Sequence, residues 1–307
     1  MAIDNKGLTD KDVIDYLTSL SNWGKWGPGD QIGALNYITA EKRAAAGALI
    51  KIGEVVSISL PLDTTPSYLN PRPASHIMMQ TGESPSSTAS MDYVGVAYHG
   101  LAHSHIDALC HIFYEGKMFN GYASSEVKSD GAHRNSIANA KDKVVGRGVL
   151  LDIPALKGRD WLEPGEAIYV EDLEAAEQRQ GVTVGEGDIL LVRTGRHKRG
   201  RAVGYPPDPD LRPGLHASAL PWVRDRHVAV LGSDCVTDVR PSGFESIGQP
   251  YHLVAIVALG VHLLDNNDFE PIAEACARNN RYEFFFVVAP LFLEFGTGSP
   301  ANGLAIF

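Results

Sequence analysis

Residues 99–111 read HGLAHSHIDALCH and hold four of the chain's eleven histidines together with one aspartate. Imidazole and carboxylate are the side chains that bind Zn²⁺ or Mn²⁺ in proteins. Because successive side chains of an extended segment alternate between faces, His103, His105 and Asp107 are expected to point to one side. Chance clusters of surface histidines occur, but imidazolium groups this close repel one another unless something neutralises or binds them. The stretch therefore predicts a metal site or an acid-base centre.

The bulk composition is that of a globular protein. The 307 residues are 44% hydrophobic, which is enough for a full-sized core and argues against disorder. A formal net charge of −10 disfavours a nucleic-acid partner, because neutralising phosphates needs a concentrated basic surface. The one basic run, residues 193–201, is typical of a solvated turn. We therefore expect no nucleic-acid partner.

Targeting signals and disulfides are not indicated by the sequence. Residues 1–12 are polar and lack the apolar core of a secretory signal. We find no window with the roughly 18 to 20 apolar residues of a membrane span. The cysteines, Cys110, Cys235 and Cys276, are too few and too scattered for a disulfide framework. We expect a cytoplasmic protein without membrane contact.

The first 90 residues predict two helices, one strand and a long loop. Thr9 with Asp12 is typical of a helix cap and precedes an amphipathic helix of about three turns. A second helix is expected from Thr39 to Ile50, and a strand from Val55 to Leu60. Residues 64–90 are rich in Pro, Ser and Thr, which favours a long irregular excursion. Such loops in a compact domain are usually functional.

The rest of the chain mixes buried strands with helices. Short apolar runs rich in branched residues predict strands at 148–153, 188–194, 227–232, 283–288 and 304–307. Helical windows lie at 170–180, 215–224 and 252–261. This mixture predicts a single α/β domain over 1–307, with a β-rich core, flanking helices and an N-terminal helical extension at about 1–50.

The segment Ser104–His111 resembles the signature of the cyclase family, His-x-Gly-Thr-His-x-Asp-x-Pro-x-His. This family of metal-dependent hydrolases includes kynurenine formamidase and isatin hydrolase. Further segments are similar to its longer members along nearly the whole chain: Trp26–Asp30, Gly33–Asn36, Val149–Asp152, Leu191–Gly195, Gly232–Asp234, Ala289–Leu291 and Gly296–Pro300. The resemblance implies a swivelling β/β/α fold, assembled as homodimers or homotetramers. It also implies one or two divalent ions, Zn or Mn, and hydrolysis of amide or ester bonds in small molecules.

The resemblance assigns roles to residues of the histidine-rich stretch. His105 and Asp107 match metal ligands, and His111 matches the histidine that carries the proton. The family's first histidine lies four residues before the second, where this chain has Leu101. Either His99 or His103 takes over that position. Ser104 keeps the hydroxyl of the family's threonine.

The remaining ligands are expected from a later helix and the turn after it. His252 resembles the family's later histidine, and Asp265 stands where its glutamate is expected. Asp265 is one methylene shorter than glutamate, so its carboxylate reaches about 1.5 Å less. His262 and Glu274 form an alternative pair, although His262 fits the end of a helix equally well.

These residues suit hydrolysis by metal-activated water, with His111 moving the proton. The substrate class is a cyclic amide, a lactone or an N-formyl arylamine, and Trp26 is the expected aromatic contact. Two alternatives remain. The fold could serve binding or assembly after losing its chemistry, or the metal could support a cyclisation or dehydration instead of hydrolysis.

Overall fold

The structure is a computed structural model, and it describes residues 3–307. The α-helices are α1 Asp10–Ser19, α2 Ala40–Gly47, α3 Ile153–Leu156, α4 Val170–Gln180, α5 Arg196–Val203, α6 Leu220–Asp225 and α7 Glu270–Asn279. A π-helix spans His252–Leu259. Short 3₁₀ turns lie at Gly33–Tyr37, Phe119–Gly121, Ser124–Glu126, Ile137–Ala140 and Ala217–Ala219. Across residues 3–307, every helix is too short or too polar to cross a membrane.

The strands are distributed over the whole described chain. They are β1 Val55–Ser57, β2 Ser75–Gln80, β3 Met91–Gly95, β4 His105–Asp107, β5 Val127–Lys128, β6 Gly131–Ala132, β7 Val145–Asp152, β8 Ala167–Ile168, β9 Ile189–Arg193, β10 Gly214–Leu215, β11 Val230–Ser233, β12 His262–Asp265, β13 Glu283–Val287, β14 Gly298–Pro300 and β15 Leu304–Ile306. Nine of them form one sheet in the order β1-β15-β13-β7-β9-β11-β12-β4-β14.

The centre of this sheet is parallel and its two sides are antiparallel. β7, β9, β11 and β12 run parallel, and every residue of β9, β11 and β12 is buried. Strands covered on both faces read as continuous apolar runs, which is why the sequence predicts them. The predicted α/β class, with a β-rich core and flanking helices, is confirmed.

The sheet brings the histidine-rich stretch next to a strand far away in sequence. β4 pairs antiparallel with β12, so that Asp265 lies opposite His105 and Leu264 opposite Ile106. On its other side β4 pairs with β14, and Gly298 lies opposite Asp107. Asp265 also ends a parallel strand, the edge at which ligands bind in α/β sheets.

Both N-terminal helices are confirmed. The Thr9 side chain accepts a hydrogen bond from the Asp12 backbone, and Asp12 accepts one from the Thr9 backbone, so the two residues form a capping box. Thr39 caps α2 through the backbone N–H of Lys42, and this helix ends at Gly47, before the predicted Ile50.

Four sequence predictions need correction. The 64–90 stretch is not wholly irregular, because β2 pairs with β3 as an antiparallel hairpin, and the Pro/Ser/Thr-rich neighbours hide its strand pattern. The strand expected at 55–60 ends at Ser57. The helix expected at 215–224 begins as the 3₁₀ turn Ala217–Ala219, and the one at 252–261 is a π-helix. Apolar periodicity does not distinguish these helix types.

Gly33 joins the N-terminal region to the end of the π-helix. Its φ is +55°, and a Cβ there would lie 2.3 Å from the carbonyl oxygen of Gly260. The next residue, Ala34, donates a backbone hydrogen bond of 2.8 Å to that same oxygen. The two backbones can approach this closely only because Gly33 has no side chain.

We predict that Gly33→Ala lowers the free energy of unfolding by more than about 2 kcal/mol, through backbone strain and the clash with Gly260. Gly47→Ala is the matched control, since Gly47 ends α2 with open space around it. That change should raise stability by about 0.5 to 1 kcal/mol. Urea unfolding measures both variants, and equal stabilities would contradict the role of Gly33.

Candidate metal centre

The carboxylate of Asp107 lies at the centre of four imidazole rings. Its Oδ1 is 2.9 Å from His99 Nδ1, 3.7 Å from His105 Nε2 and 3.9 Å from His111 Nε2. Its Oδ2 is 3.6 Å from His252 Nε2. The Asp107 side chain is fully buried. One carboxylate thus collects histidines from both ends of the histidine-rich stretch and from the π-helix.

His105 is held with one ring nitrogen free for the centre. Its Nδ1 donates a 2.8 Å hydrogen bond to the backbone carbonyl of His103, which fixes the tautomer and leaves the Nε2 lone pair facing Asp107. The neighbouring Ser104 hydroxyl accepts from the Leu60 backbone N–H and donates to the Asn266 carbonyl, each at 2.9 Å. These bonds fix the backbone of β4 beside the end of β12.

His252 is oriented by a carboxylate that sequence reasoning missed. Its Nδ1 lies 2.6 Å from Asp238 Oδ2, and Asp238 also accepts from the backbone N–H groups of Tyr251 and His252. The Nε2 of His252 points to the centre, 3.2 Å from Asp265 Oδ2. A carboxylate behind a ligand histidine is the common supporting arrangement in metal sites. Asp238 had no sequence signal, because it follows β11 in an irregular loop.

Asp265 reaches the centre despite its short side chain. Thr237 donates to its Oδ1 from both backbone and hydroxyl, at 3.2 and 2.7 Å. Its Oδ2 faces His252 Nε2 at 3.2 Å. The pairing of β12 with β4 moves the backbone close enough to compensate for the missing methylene.

The structure brings His99, and not His103, to the centre. The His99 ring stacks on His111 with centroids 3.9 Å apart, and its Nε2 lies 3.2 Å from Thr297 Oγ1. β4 begins only at His105, so His103 lies outside the extended segment on which a shared orientation was predicted. Two clusters of possible ligand atoms form, each with atoms within 4.8 Å of one another: His99-Asp107-His111 and His105-Asp107-Asp265.

The other sequence candidates lie elsewhere. Trp26 packs edge-on against Tyr37, with ring centroids 5.0 Å apart, at the margin of the core. His262 is buried at the start of β12, whereas Glu274 is exposed on α7. Neither joins the two clusters. The roles assigned to Trp26 and His103 stay predictions.

The electrostatics of the cluster favour an ionised Asp107 and a neutral His111. Burial would raise the pKa of Asp107, but the surrounding imidazoles outweigh it, His111 foremost, and the pKa is lowered. Burial lowers the pKa of His111 to about 4, although Asp107 opposes the shift. For His252, burial lowers the pKa, but the bonds to Asp238 and Asp265 raise it well above its usual value.

The donor set fits a divalent metal ion. Both oxygens of Asp107 are buried, and imidazole nitrogens lie 2.9 to 3.9 Å from them. Burying a carboxylate is costly, and a cation bound between these groups offsets that cost. Ligand atoms about 2.0 to 2.2 Å from one ion lie about 3 to 3.5 Å apart, which resembles the separations around Asp107. The His and Asp side chains of this centre can therefore hold a divalent ion.

Comparisons with known proteins identify the family of this chain. The family model named Cyclase matches residues 56–238, more than half of the chain. The chain belongs to the cyclase family. A crystal structure described as a novel cyclase is 33% identical, covering 95% of this chain and 99% of that one, with a TM-score of 0.84. The family resemblance seen in the sequence is confirmed.

Solved structures with lower sequence identity share the fold. Isatin hydrolase A from Ralstonia solanacearum is 22% identical, covering 87% of this chain and 97% of that one, with a TM-score of 0.63. A predicted metal-dependent hydrolase from Bacillus stearothermophilus is 17% identical, covering 83% of this chain and 98% of that one, with a TM-score of 0.52. No curated protein matches the chain.

We predict that Asp238→Asn weakens metal binding by about 10- to 100-fold, because His252 loses the carboxylate that orients its ring. Isothermal titration calorimetry of the metal-free protein with Zn²⁺ measures the affinity. Asp130→Asn is the control, since Asp130 pairs with His133 at the surface. Unchanged affinity in Asp238→Asn would show that His252 is not a ligand.

Proposed function

We propose that this protein is a metal-dependent hydrolase that cleaves an amide or ester bond of a small molecule with water. The buried Asp107 carboxylate, which has nitrogens of four imidazoles within 4 Å of its oxygens, carries the proposal. Support also comes from structural relatives described as isatin hydrolases and metal-dependent hydrolases. The proposed ligands are His99, His105, Asp107, His252 and Asp265, for one or two ions.

The protein's own groups divide the work between binding and proton transfer. When bound, Zn²⁺ or Mn²⁺ makes a water acidic enough to lose a proton near neutral pH and polarises the carbonyl to be attacked. His111, beside Asp107 and neutral after burial, accepts a proton at Nε2 and returns it to the leaving nitrogen or oxygen. His99 stacks on the His111 ring and limits its rotation.

The proposed substrate is a cyclic amide, a lactone or an N-formyl arylamine. Isatin is the first compound to test, because two related folds are named for its hydrolysis. A degenerate binding protein is disfavoured, since burying the Asp107 carboxylate among imidazoles costs stability that a bound ion would offset. A cyclisation or dehydration would show itself in the products of the same assay.

We predict that the zinc- or manganese-loaded protein hydrolyses at least one of isatin, an aryl lactone and an N-formyl arylamine. His111→Ala should keep its metal and lose turnover by about 10² to 10⁴-fold, because it removes only the proton carrier. Asp107→Ala should lose the metal first. Elemental analysis and product chromatography give both readouts.

The result can contradict the proposal in distinct ways. Metal loss in His111→Ala would make His111 a ligand, which its place in a cluster of donor atoms also allows. Full metal content and activity in Asp107→Ala would move the centre elsewhere. A metal-free native protein that is inactive on all three compounds would favour a binding function.

We also propose that the protein is a homo-oligomer through the hairpin formed by β2 and β3. All but the last residue of each strand is exposed, including Ile77, Met79 and Val94. Two-stranded hairpins are marginally stable in water, and exposed apolar patches usually mark interfaces. A second copy is the proposed occupant, and the copies would form a dimer or a tetramer.

We predict that the native protein sediments as a dimer or tetramer, and that Met79→Glu with Val94→Glu shifts it toward monomer. A charge placed on each strand of the hairpin opposes burial of that face. Val203→Glu is the control, since Val203 is exposed at the end of α5, away from the hairpin in sequence. Analytical ultracentrifugation measures the oligomeric state of each variant, and a monomeric native protein would contradict the proposal.

A further inference from the structure

His103 is a buried histidine whose ring has no partner. His103 is 1% exposed, and neither nitrogen of its ring has a hydrogen-bond partner in the described part of the chain. Its backbone carbonyl is used, since it accepts from His105 Nδ1 at 2.8 Å. The backbone carbonyl of His103 therefore helps to orient His105, while the ring of His103 makes no hydrogen bond to residues 3–307.

A burial of this kind needs an explanation. Leaving buried polar atoms unpaired costs about 1 to 3 kcal/mol each, and native structures contain few such atoms. The ring lies outside both clusters of donor atoms around Asp107 and forms no ion pair with that carboxylate, so a ligand other than the metal ion is the better explanation. An imidazole ring offers at least one N–H donor to such a ligand.

His103 lies in the wall of a cavity beside the metal centre. This cavity has a volume of about 240 Å³, and its lining also includes His99. Its other walls include the aromatic rings of Tyr68 and Tyr98 and the charged groups of Arg72 and Asp210. Arg72 forms no ion pair with any of residues 3–307. Concave sites with aromatic walls and a few unpaired polar groups are typical of small-molecule binding.

We propose that His103 is a substrate-binding residue, whose ring donates a hydrogen bond to a carbonyl or carboxylate oxygen of a small aromatic molecule in this cavity. Arg72, at the same wall, favours an anionic group such as the carboxylate released by ring opening. This inference rests on the proposed hydrolase function and adds to it the residue that orients the substrate beside His99 and Asp107.

The test compares native protein, His103→Leu and His103→Gln, each loaded with zinc, and uses isatinate, the ring-opened form of isatin, as the probe. Leucine removes both polar atoms with a similar volume, and glutamine restores a donor and an acceptor. His133→Gln is the matched control, since His133 pairs with Asp130 at the surface. Calorimetry gives the isatinate Kd, elemental analysis the zinc content, and thermal unfolding the midpoint.

The expected result separates binding from a structural or ligand role. His103→Leu should raise the isatinate Kd by about tenfold or more, the value of one hydrogen bond, with unchanged zinc content. Its unfolding midpoint should equal or exceed the native one, because apolar replacement of an unpaired polar group is neutral or stabilising. His103→Gln should recover most of the affinity, and His133→Gln should match native protein.

Several outcomes would overturn the inference. Zinc loss in His103→Leu would make His103 a ligand, and a lowered midpoint with unchanged Kd would make it structural. Failure of isatinate to bind native protein would also overturn it, even if lactone hydrolysis supported the proposed function. Conversely, His103-dependent binding of isatinate without hydrolysis of any probe would support the inference and contradict the hydrolase proposal.

Discussion

The attraction between one buried carboxylate and the groups around it organises this molecule. Asp107 is fully buried, and nitrogens of four imidazoles lie 2.9 to 3.9 Å from its oxygens. A buried carboxylate is costly unless donors or positive charge compensate it, and these rings, or an ion held among them, supply that compensation. His99, His111 and strand β4 lie in one short stretch of sequence, whereas His252 lies far away in sequence, at the start of the π-helix. The fold is therefore constrained by the need to bring these groups to one carboxylate.

Strand pairing in the sheet fixes the positions of these groups. The register of β12 against β4 sets Asp265 beside His105, and the loop after β11 places Asp238 behind His252. A slip of one residue would turn Asp265 to the opposite face. Gly33, packed on Gly260 at the end of the π-helix, fixes the same region from the N-terminal side. The positions of donor atoms are thus set by backbone pairing rather than by side-chain flexibility.

Sequence reasoning reached much of this arrangement, but not all of it. His105, Asp107 and His111 could be predicted because they stand in one short motif with a recognisable spacing. The choice between His99 and His103 could not, since it depends on a loop conformation around Gly100, whose φ is +134°. Asp238 was missed because it acts across an irregular loop. The hairpin at 75–95 was missed because composition describes average polarity and not strand pairing.

The order of the strands has a consequence for how the centre comes into being. β4 near residue 105 lies between β12 and β14, and β1 pairs with β15, so the sheet closes through contacts some 150 to 250 residues apart. Non-local pairing of this kind is slow and must wait for the distant segments. During synthesis, the histidine-rich stretch leaves the ribosome long before β12 and β14 do. The nascent chain therefore holds an incomplete set of donor side chains, and the complete centre forms only in the released, folded protein.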